Sequence, residues 1–248
     1  MERGDHSELA TFFAAAFERG GTVDLDEVAA QHVHVRRLAV GDRVRLTDGQ
    51  GNVAIGRIQS SGKRATSVVV EETHPEPKPQ TLRMLVPVAD RDRMLWLAEK
   101  CAELEVTVWQ PVVFRRSLSV SPRGEGPAFA RKVRSRMRSA LEQSGGAWLP
   151  ELRPPQPLVS VLADAEISGS CRFLLDRDGA PLVGQRAHGE ASVLLGPEGG
   201  LDSAELRLAR GEHGWMLASL GARTLRFETA GVIAAGILRS QLASSRTH

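Results

Sequence analysis

Two short glycine-bearing turns near the carboxyl end of this 248-residue chain constrain its fold more than any other feature. In the first, the apolar run Ser192 to Leu195 gives way to Gly196-Pro197-Glu198-Gly199-Gly200-Leu201 and then to a helical pattern. In the second, Trp215 to Leu220 leads into Gly221-Ala222-Arg223-Thr224-Leu225-Arg226-Phe227-Glu228 and a second helical pattern. Each reads as a buried strand, a side-chain-poor turn and a helix start. Asp202, with Glu205 three residues on, has the spacing of a capping box. Turns at the carboxyl ends of buried strands are where open α/β sheets bind ligands. Two within about thirty residues imply one ligand held between two loops.

The rest of the chain divides at Thr73-His74-Pro75-Glu76-Pro77-Lys78-Pro79-Gln80, where alternating prolines lack amide donors and favour extended chain. This predicts an N-terminal domain over 1–73, a linker over 74–80 and a C-terminal domain over 81–248. Before the linker, Arg43 to Leu46, Val53 to Ile58 and Thr66 to Val70 read as short strands, the last after a Ser-Gly-Lys turn. Asp26 to Leu38 reads as a helix with Val28, Val35 and Leu38 on one face, stopped by Gly41. Several short strands and one helix suit a small nucleic-acid-binding barrel.

After the linker the rhythm becomes strand, helix, strand, helix. Arg83 to Val88, Val106 to Phe114, Pro157 to Asp164 and Cys171 to Asp176 read as strands, and Asp90 to Leu104 and Pro127 to Gln143 as helices. Such alternation predicts an α/β domain built on a mainly parallel sheet covered on both faces. The last helix, Thr229 to Leu242, holds Gly231 and Gly236, each costing about 0.5–1 kcal/mol against Ala in a helix interior, so close backbone packing is expected there.

Charge is unevenly placed. The net charge is only +2, and residues 1–73 hold nine basic and eleven acidic side chains. Between Arg115 and Ala140, however, Arg115, Arg116, Arg123, Arg131, Lys132, Arg134, Arg136 and Arg138 face Glu125 alone. That excess would attract a polyanion such as RNA, although a solvated helix face gives the same pattern. No apolar run reaches the roughly twenty residues of a membrane span. The apolar stretch Leu9 to Phe17 follows Glu2, Asp5 and Glu8 with Arg3 alone, the wrong sign for a secretory signal. Cys101 and Cys171 form neither a disulfide framework nor a zinc spacing, the seven histidines form no metal pattern, and a reducing cytoplasm is expected. No G-x-G-x-x-G follows an early strand, and Gly51 to Arg57 lacks the Lys-Ser/Thr of a phosphate-binding loop.

The segments L-L-G-P-E-G-G-L and L-G-A-R-T-L-R-F-E-T-A resemble the two C-terminal signatures of RsmE-type 16S rRNA (uracil-N3) methyltransferases of the SPOUT superfamily. Met94 to Pro111, Glu142-Gln143-Ser144 and His32 to Asp42 resemble further family segments in the right order. The resemblance implies a PUA-like N-terminal β-barrel, a C-terminal α/β SPOUT domain with a trefoil knot, and a homodimer paired through C-terminal helices. It implies S-adenosylmethionine as cofactor and, as substrate, N3 of a uridine (1498 in the usual rRNA numbering) in 16S rRNA of the small ribosomal subunit. Leu195, Gly196, Pro197, Gly199 and Gly200 would then line one wall of the cofactor site, and Leu220, Gly221 and Leu225 the other. Arg226 would stabilise negative charge developing on the uracil, with Glu198 or Glu228 accepting its N3 proton. Arg36, Arg37, Arg115, Arg116, Arg131, Arg134 and Arg138 would contact RNA. No metal is implied. The chain departs from the family pattern at Glu105 (for Gly), at Gly145-Gly146 (for an Arg-containing pair) and at Phe227 (for a smaller residue). Three rival readings stay open: a non-catalytic RNA-binding protein, a SPOUT methyltransferase acting on another RNA, and a small-molecule α/β enzyme.

Overall fold

The computed structural model describes residues 9–62, 65–119 and 122–244. The acidic start at Glu2, Asp5 and Glu8, its Arg3, and Lys63 of the expected Ser-Gly-Lys turn lie outside them. The chain forms two compact units, one of residues 1–78 with 138–149 and one of 79–137 with 150–248.

The N-terminal unit is one five-stranded sheet with a helix. Its strands are β1 (Thr11–Phe13), β2 (Thr22–Leu25), β3 (Arg43–Thr47), β4 (Asn52–Ser61) and β5 (Thr66–Pro75), in the order β1-β3-β4-β5-β2. β1 pairs with β3 in parallel and the other pairs are antiparallel. β4 shifts register at Ile55/Gly56 and again at Ile58/Ser60. Gly56 is required at the first shift, since a Cβ there would lie 2.7 Å from the Val69 carbonyl. Helix α1 (Glu27–Val35) is capped by the Asp26 carboxylate, which accepts the Ala29 N–H. Phe12, Leu25, Val33, Val44, Leu46, Ile58 and Val68 are among the residues of the core beneath it.

Two expectations are corrected here. The buried face of α1 is Ala29, Ala30 and Val33, whereas Val28 and Val35 are 60% and 70% exposed. The helix also ends at Val35 and not near Gly41. Arg37 takes a left-handed φ of 58°, so that its N–H returns to the His34 carbonyl and that of Leu38 to Val33, both at 3.0 Å, the closure of a Schellman motif. In addition, β5 runs through His74 and Pro75, so the first residues of the proline-rich stretch belong to the sheet. Glu76 is held too: its N–H donates to the Gly51 carbonyl and its carboxylate pairs with Arg45 at 2.7 Å.

The second unit is an all-parallel sheet. Its strands are β6 (Leu82–Pro87), β7 (Val108–Val113), β8 (Glu151–Leu152), β9 (Gln156–Pro157), β10 (Cys171–Pro181), β11 (Ala191–Leu194) and β12 (Met216–Ser219). The order is β12-β10-β11-β6-β7-β8, with β9 also on β7. β6 and β11 are buried along their whole length, Arg83 and Ser192 included, as a sheet covered on both faces requires. Helices α2 (Arg91–Glu103) and α7 (Phe227–Ser244) pack together and α7 also packs on β6. Between them in the chain come α3 (Gly126–Ser144), α4 (Leu158–Leu162), α5 (Ala165–Ser168) and α6 (Ser203–Arg207). A second core cluster joins Leu85, Phe114, Leu174 and Leu194 of the sheet region to Leu158, Val161, Leu162 and Trp215.

The segment Pro157 to Asp164 is not the expected strand: only Pro157 pairs, and Leu158–Leu162 is helical. Leu158, Val161 and Leu162 are buried while Val159 is 57% exposed, the i, i+3, i+4 spacing of a helix face. The backbone-to-backbone packing expected at the two glycines of α7 is not found: side chains approach Gly231, and nothing among the described residues approaches Gly236. A Cβ at Gly231 would lie 2.8 Å from Leu97 of α2 and 3.1 Å from Leu195, whereas Gly236 faces open space.

Candidate active site

The site forms where β11 and β12 end, beside the irregular middle of β10. Leu195 closes β11 by donating its N–H to the Leu85 carbonyl at 2.9 Å. The chain then turns through Gly196 to Gly200, with the Gly200 N–H on the Pro197 carbonyl at 2.8 Å and a φ of 67° that favours glycine. The capping box is present as expected. The Asp202 carboxylate accepts the Ala204 and Glu205 N–H groups at 2.8 Å, and Glu205 accepts the Asp202 N–H at 3.0 Å. The Glu205 N–H, chiefly, holds the Asp202 carboxyl below the usual carboxylate range; desolvation opposes it, and the Ala204 N–H, Arg115 and Arg116 act with it. After β12 the second turn passes Gly221, whose φ of 124° again needs a glycine, and enters α7 at Phe227.

Between these two turns lies a cleft of about 450 Å³. Leu195, Gly196, Pro197, Glu198, Gly200, Leu220, Gly221 and Leu225 all line it, so the two distant sequence segments do converge on one cavity. Three expected site residues do not line it. Gly199 turns its carbonyl to the Arg116 guanidinium. Arg226 is exposed between the lining residues Leu225 and Phe227. Glu228 is buried in the first turn of α7, and its Oε2 has no hydrogen-bond partner.

A third wall, not expected from the sequence, completes the cleft. Strand β10 loses register against β12 between Leu175 and Ala180, both of which face Ala218, and the intervening Asp176, Arg177 and Asp178 line the cleft. Gly179 permits the excursion, since a Cβ there would stand 2.5 Å from the Ala218 nitrogen. The signal was available: Asp-x-Asp-Gly inside a strand pattern is turn chemistry, and the Asp176 carboxylate accepts the Asp178 N–H at 2.9 Å. Arg93 was not expected either. Its guanidinium donates to Glu198 and lies 3.9 Å from Glu228, so one arginine faces both candidate proton acceptors.

The arginines expected to meet RNA are in different situations. Arg36 and Arg37 are exposed on the N-terminal unit, and Arg131 and Arg134 are exposed on α3. Arg115 instead donates its backbone N–H to Glu205 at 3.0 Å and pairs with Asp202 at 3.4 Å, while Arg116 holds Gly199. Arg138 is engaged within the N-terminal unit by Asp26 and Glu142. Among the described residues no group of His, Cys, Asp and Glu could hold a metal ion, and no helix is long and apolar enough to cross a membrane.

The cleft suits S-adenosylmethionine. Its volume lies within the range of small-ligand pockets, and glycine backbone plus Leu195, Leu220 and Leu225 offer apolar surface that a nucleoside can approach closely. Asp176, Asp178, Arg177, Arg223 and Thr224 supply polar groups of both signs at its edge.

With this geometry established, the similarity to known proteins is specific. Residues 76–239 match the RNA methyltransferase domain family and residues 25–71 match the RNA methyltransferase PUA domain family. The chain belongs to the RNA methyltransferase family, of the RsmE type that its two late turns resemble. Ribosomal RNA small subunit methyltransferase E from Aquifex aeolicus is 28% identical over 235 residues, covering 91% of this chain and 97% of that protein. The protein of the same name from Mycobacterium bovis is 27% identical, covering 82% and 79%. In fold, the chain is similar to ribosomal RNA small subunit methyltransferase E from Neisseria gonorrhoeae bound to S-adenosyl methionine, with a TM-score of 0.80, 24% identity and coverage of 97% and 98%. The expectations of a PUA-like domain, a parallel-strand α/β domain and a methyltransferase are borne out.

Proposed function

We propose that this chain transfers a methyl group from S-adenosylmethionine to N3 of one uridine in 16S rRNA of the small ribosomal subunit. The observation that carries the reading is the meeting of both glycine-bearing turns in a single cleft that fits the cofactor. The cofactor, when bound, supplies a methyl group on a sulfonium. The protein must then supply an RNA base in line with that methyl and free of its N3 proton, since protonated uracil nitrogen is a poor nucleophile. Arg226, exposed and flanked by the lining residues Leu225 and Phe227, is the group we assign to stabilising negative charge growing on a uracil carbonyl. Glu198 lines the cleft and is the proton acceptor we favour; Glu228, buried in the first turn of α7, is the alternative. Arg36, Arg37, Arg131 and Arg134 have free reach to RNA phosphates.

Three further features belong to the same reading. The placement of β10 between β11 and β12 suits a trefoil-knotted C-terminal domain. The exposed Ile233 and the open side of Gly236 on α7 suit pairing with a second copy. Small-subunit rRNA as substrate places the enzyme in the cytoplasm.

The test is transfer of a labelled methyl group to small ribosomal subunits lacking uridine-N3 methylation, with the modified nucleoside identified by mass spectrometry. Appearance of 3-methyluridine at one position is expected. A methylated nucleoside of another kind, or methylation of another RNA in preference, would replace the substrate assignment. RNA binding without any transfer would favour a non-catalytic role.

A further inference from the structure

The first cofactor turn is held from two sides by arginines that belong to different parts of the C-terminal unit. Arg116, in the helical turn Arg115–Ser119 after β7, donates to the Gly199 carbonyl, and its side chain passes within 3.3–4.0 Å of where a Gly199 Cβ would stand. Arg93, in the first turn of α2, donates to the carboxylate of the preceding residue, Glu198. The base of Arg93 is fixed, because the Asp90 carboxylate caps α2 by accepting the Asp92 and Arg93 N–H groups at 3.1 and 3.0 Å. The Arg93 guanidinium also lies 3.9 Å from Glu228 in the first turn of α7, and the neighbours of Glu228 in that turn, Phe227 and Ala230, line the cleft.

We propose that Arg93 is a positioning residue for methyl transfer, tying the 196–200 turn to the start of α7 so that the two walls of the cofactor cleft keep a fixed separation. The proposal rests on the methyltransferase reading for its effect on catalysis, but not for its effect on the loop. A turn with three glycines in five residues has little intrinsic stiffness. Glu198 is more than half exposed, so without a partner nothing in its own burial would keep it in place. A guanidinium presents several donors in a planar fork and can face two carboxylates at once, whereas an ammonium acts as a point charge.

The experiment compares wild type with Arg93→Gln, Arg93→Lys, Glu198→Gln and the Arg93→Gln/Glu198→Gln double variant, each checked for an unchanged unfolding midpoint to within a few degrees. Amide hydrogen exchange over 196–201 should quicken in Arg93→Gln and quicken less in Arg93→Lys. The Kd for S-adenosylmethionine should rise about fivefold, the scale of one partly exposed ion pair. The kcat should fall about a hundredfold, the scale of a 1 Å misplacement of reacting groups. For loop exchange and cofactor Kd, the double variant should be no worse than Arg93→Gln, since both changes remove one interaction. Unchanged loop exchange overturns the proposal, as does faster exchange with unaltered Kd and kcat, which would make Arg93 structural only. Additive effects on exchange and Kd also overturn it. A wild-type chain that binds no S-adenosylmethionine sinks the methyltransferase reading instead, and loop exchange still decides whether Arg93 holds the turn.

Discussion

Arg138 sets its guanidinium 2.6 Å from the Asp26 carboxylate and 4.3 Å from the centre of the Phe13 ring. One side chain thereby joins the N-cap of α1 to strand β1, within the N-terminal unit. Burial alone would raise the Asp26 carboxyl, but the Ala29 N–H and Arg138 outweigh it and hold it below its ordinary 3.8. A depressed carboxyl stabilises the fold above its unfolded value, and that contribution disappears as pH falls through the folded one. Asp26→Asn should therefore cost about 1 kcal/mol in urea unfolding at pH 7, the pair being partly exposed. The difference from wild type should vanish in strongly acid buffer. A difference that persists undiminished at low pH would assign the effect to the cap geometry and not to the charge.

Because Arg138 is engaged in this way, RNA affinity should depend on its neighbours. Reversing Arg131 and Arg134 to Glu should weaken RNA binding and flatten its salt dependence, since fewer counterions are released. Arg138→Ala should act mainly on stability. Binding measured across a salt series separates the two, and an unchanged slope in the Arg131/Arg134 variant would mark a solvated helix face.

The end of α2 carries a removable strain. Glu105 has a left-handed φ of 53°, with its N–H on Ala102 and that of Val106 on Cys101, a Schellman closure whose usual residue is glycine. The conformation costs a side-chain-bearing residue about 1–2 kcal/mol, part of which a glycine returns through its greater freedom when unfolded. Glu105→Gly should raise stability by about 0.5–1 kcal/mol, read from the denaturation midpoint. The Arg239 hydrogen bond to the Glu105 carbonyl is to main chain and survives the change, while its 4.0 Å ion pair with the exposed Glu105 carboxylate, worth little in solvent, is lost.

How legible these features were depends on how local their causes are. The two cofactor turns could be read because each is a contiguous strand, glycine turn and capped helix, and Asp202 with Glu205 announced the cap. The left-handed site at Glu105 could be anticipated for the same reason. The turn at Asp176 to Asp178 is legible in Asp-x-Asp-Gly, but its place as a cleft wall is not, because that depends on pairing of β10 with a strand some forty residues on. Pro157 to Asp164 was misread because a short apolar run fits a buried strand or a buried helix equally well. Val28 and Val35 were assigned to the wrong face because hydrophobicity alone ranks them above Ala29 and Ala30, which are small enough to let α1 sit close to the sheet. Arg93 escaped notice since its partners lie more than a hundred residues away.

The two glycines of α7 make opposite predictions. At Gly231 a methyl group would press on Leu97 and on Leu195, the residue that opens the first cofactor turn. Gly231→Ala should therefore destabilise the C-terminal unit by about 1–3 kcal/mol, the range for overpacking, and should weaken cofactor binding through Leu195. At Gly236 the protomer leaves room for a methyl group. Gly236→Ala should stabilise the protomer by about 0.5–1 kcal/mol through helix propensity alone. If α7 pairs closely with a second copy, the same substitution should also shift sedimentation toward monomer at low concentration. A stabilised chain whose association is unaltered would remove Gly236 from any such interface while leaving the packing argument for Gly231 intact.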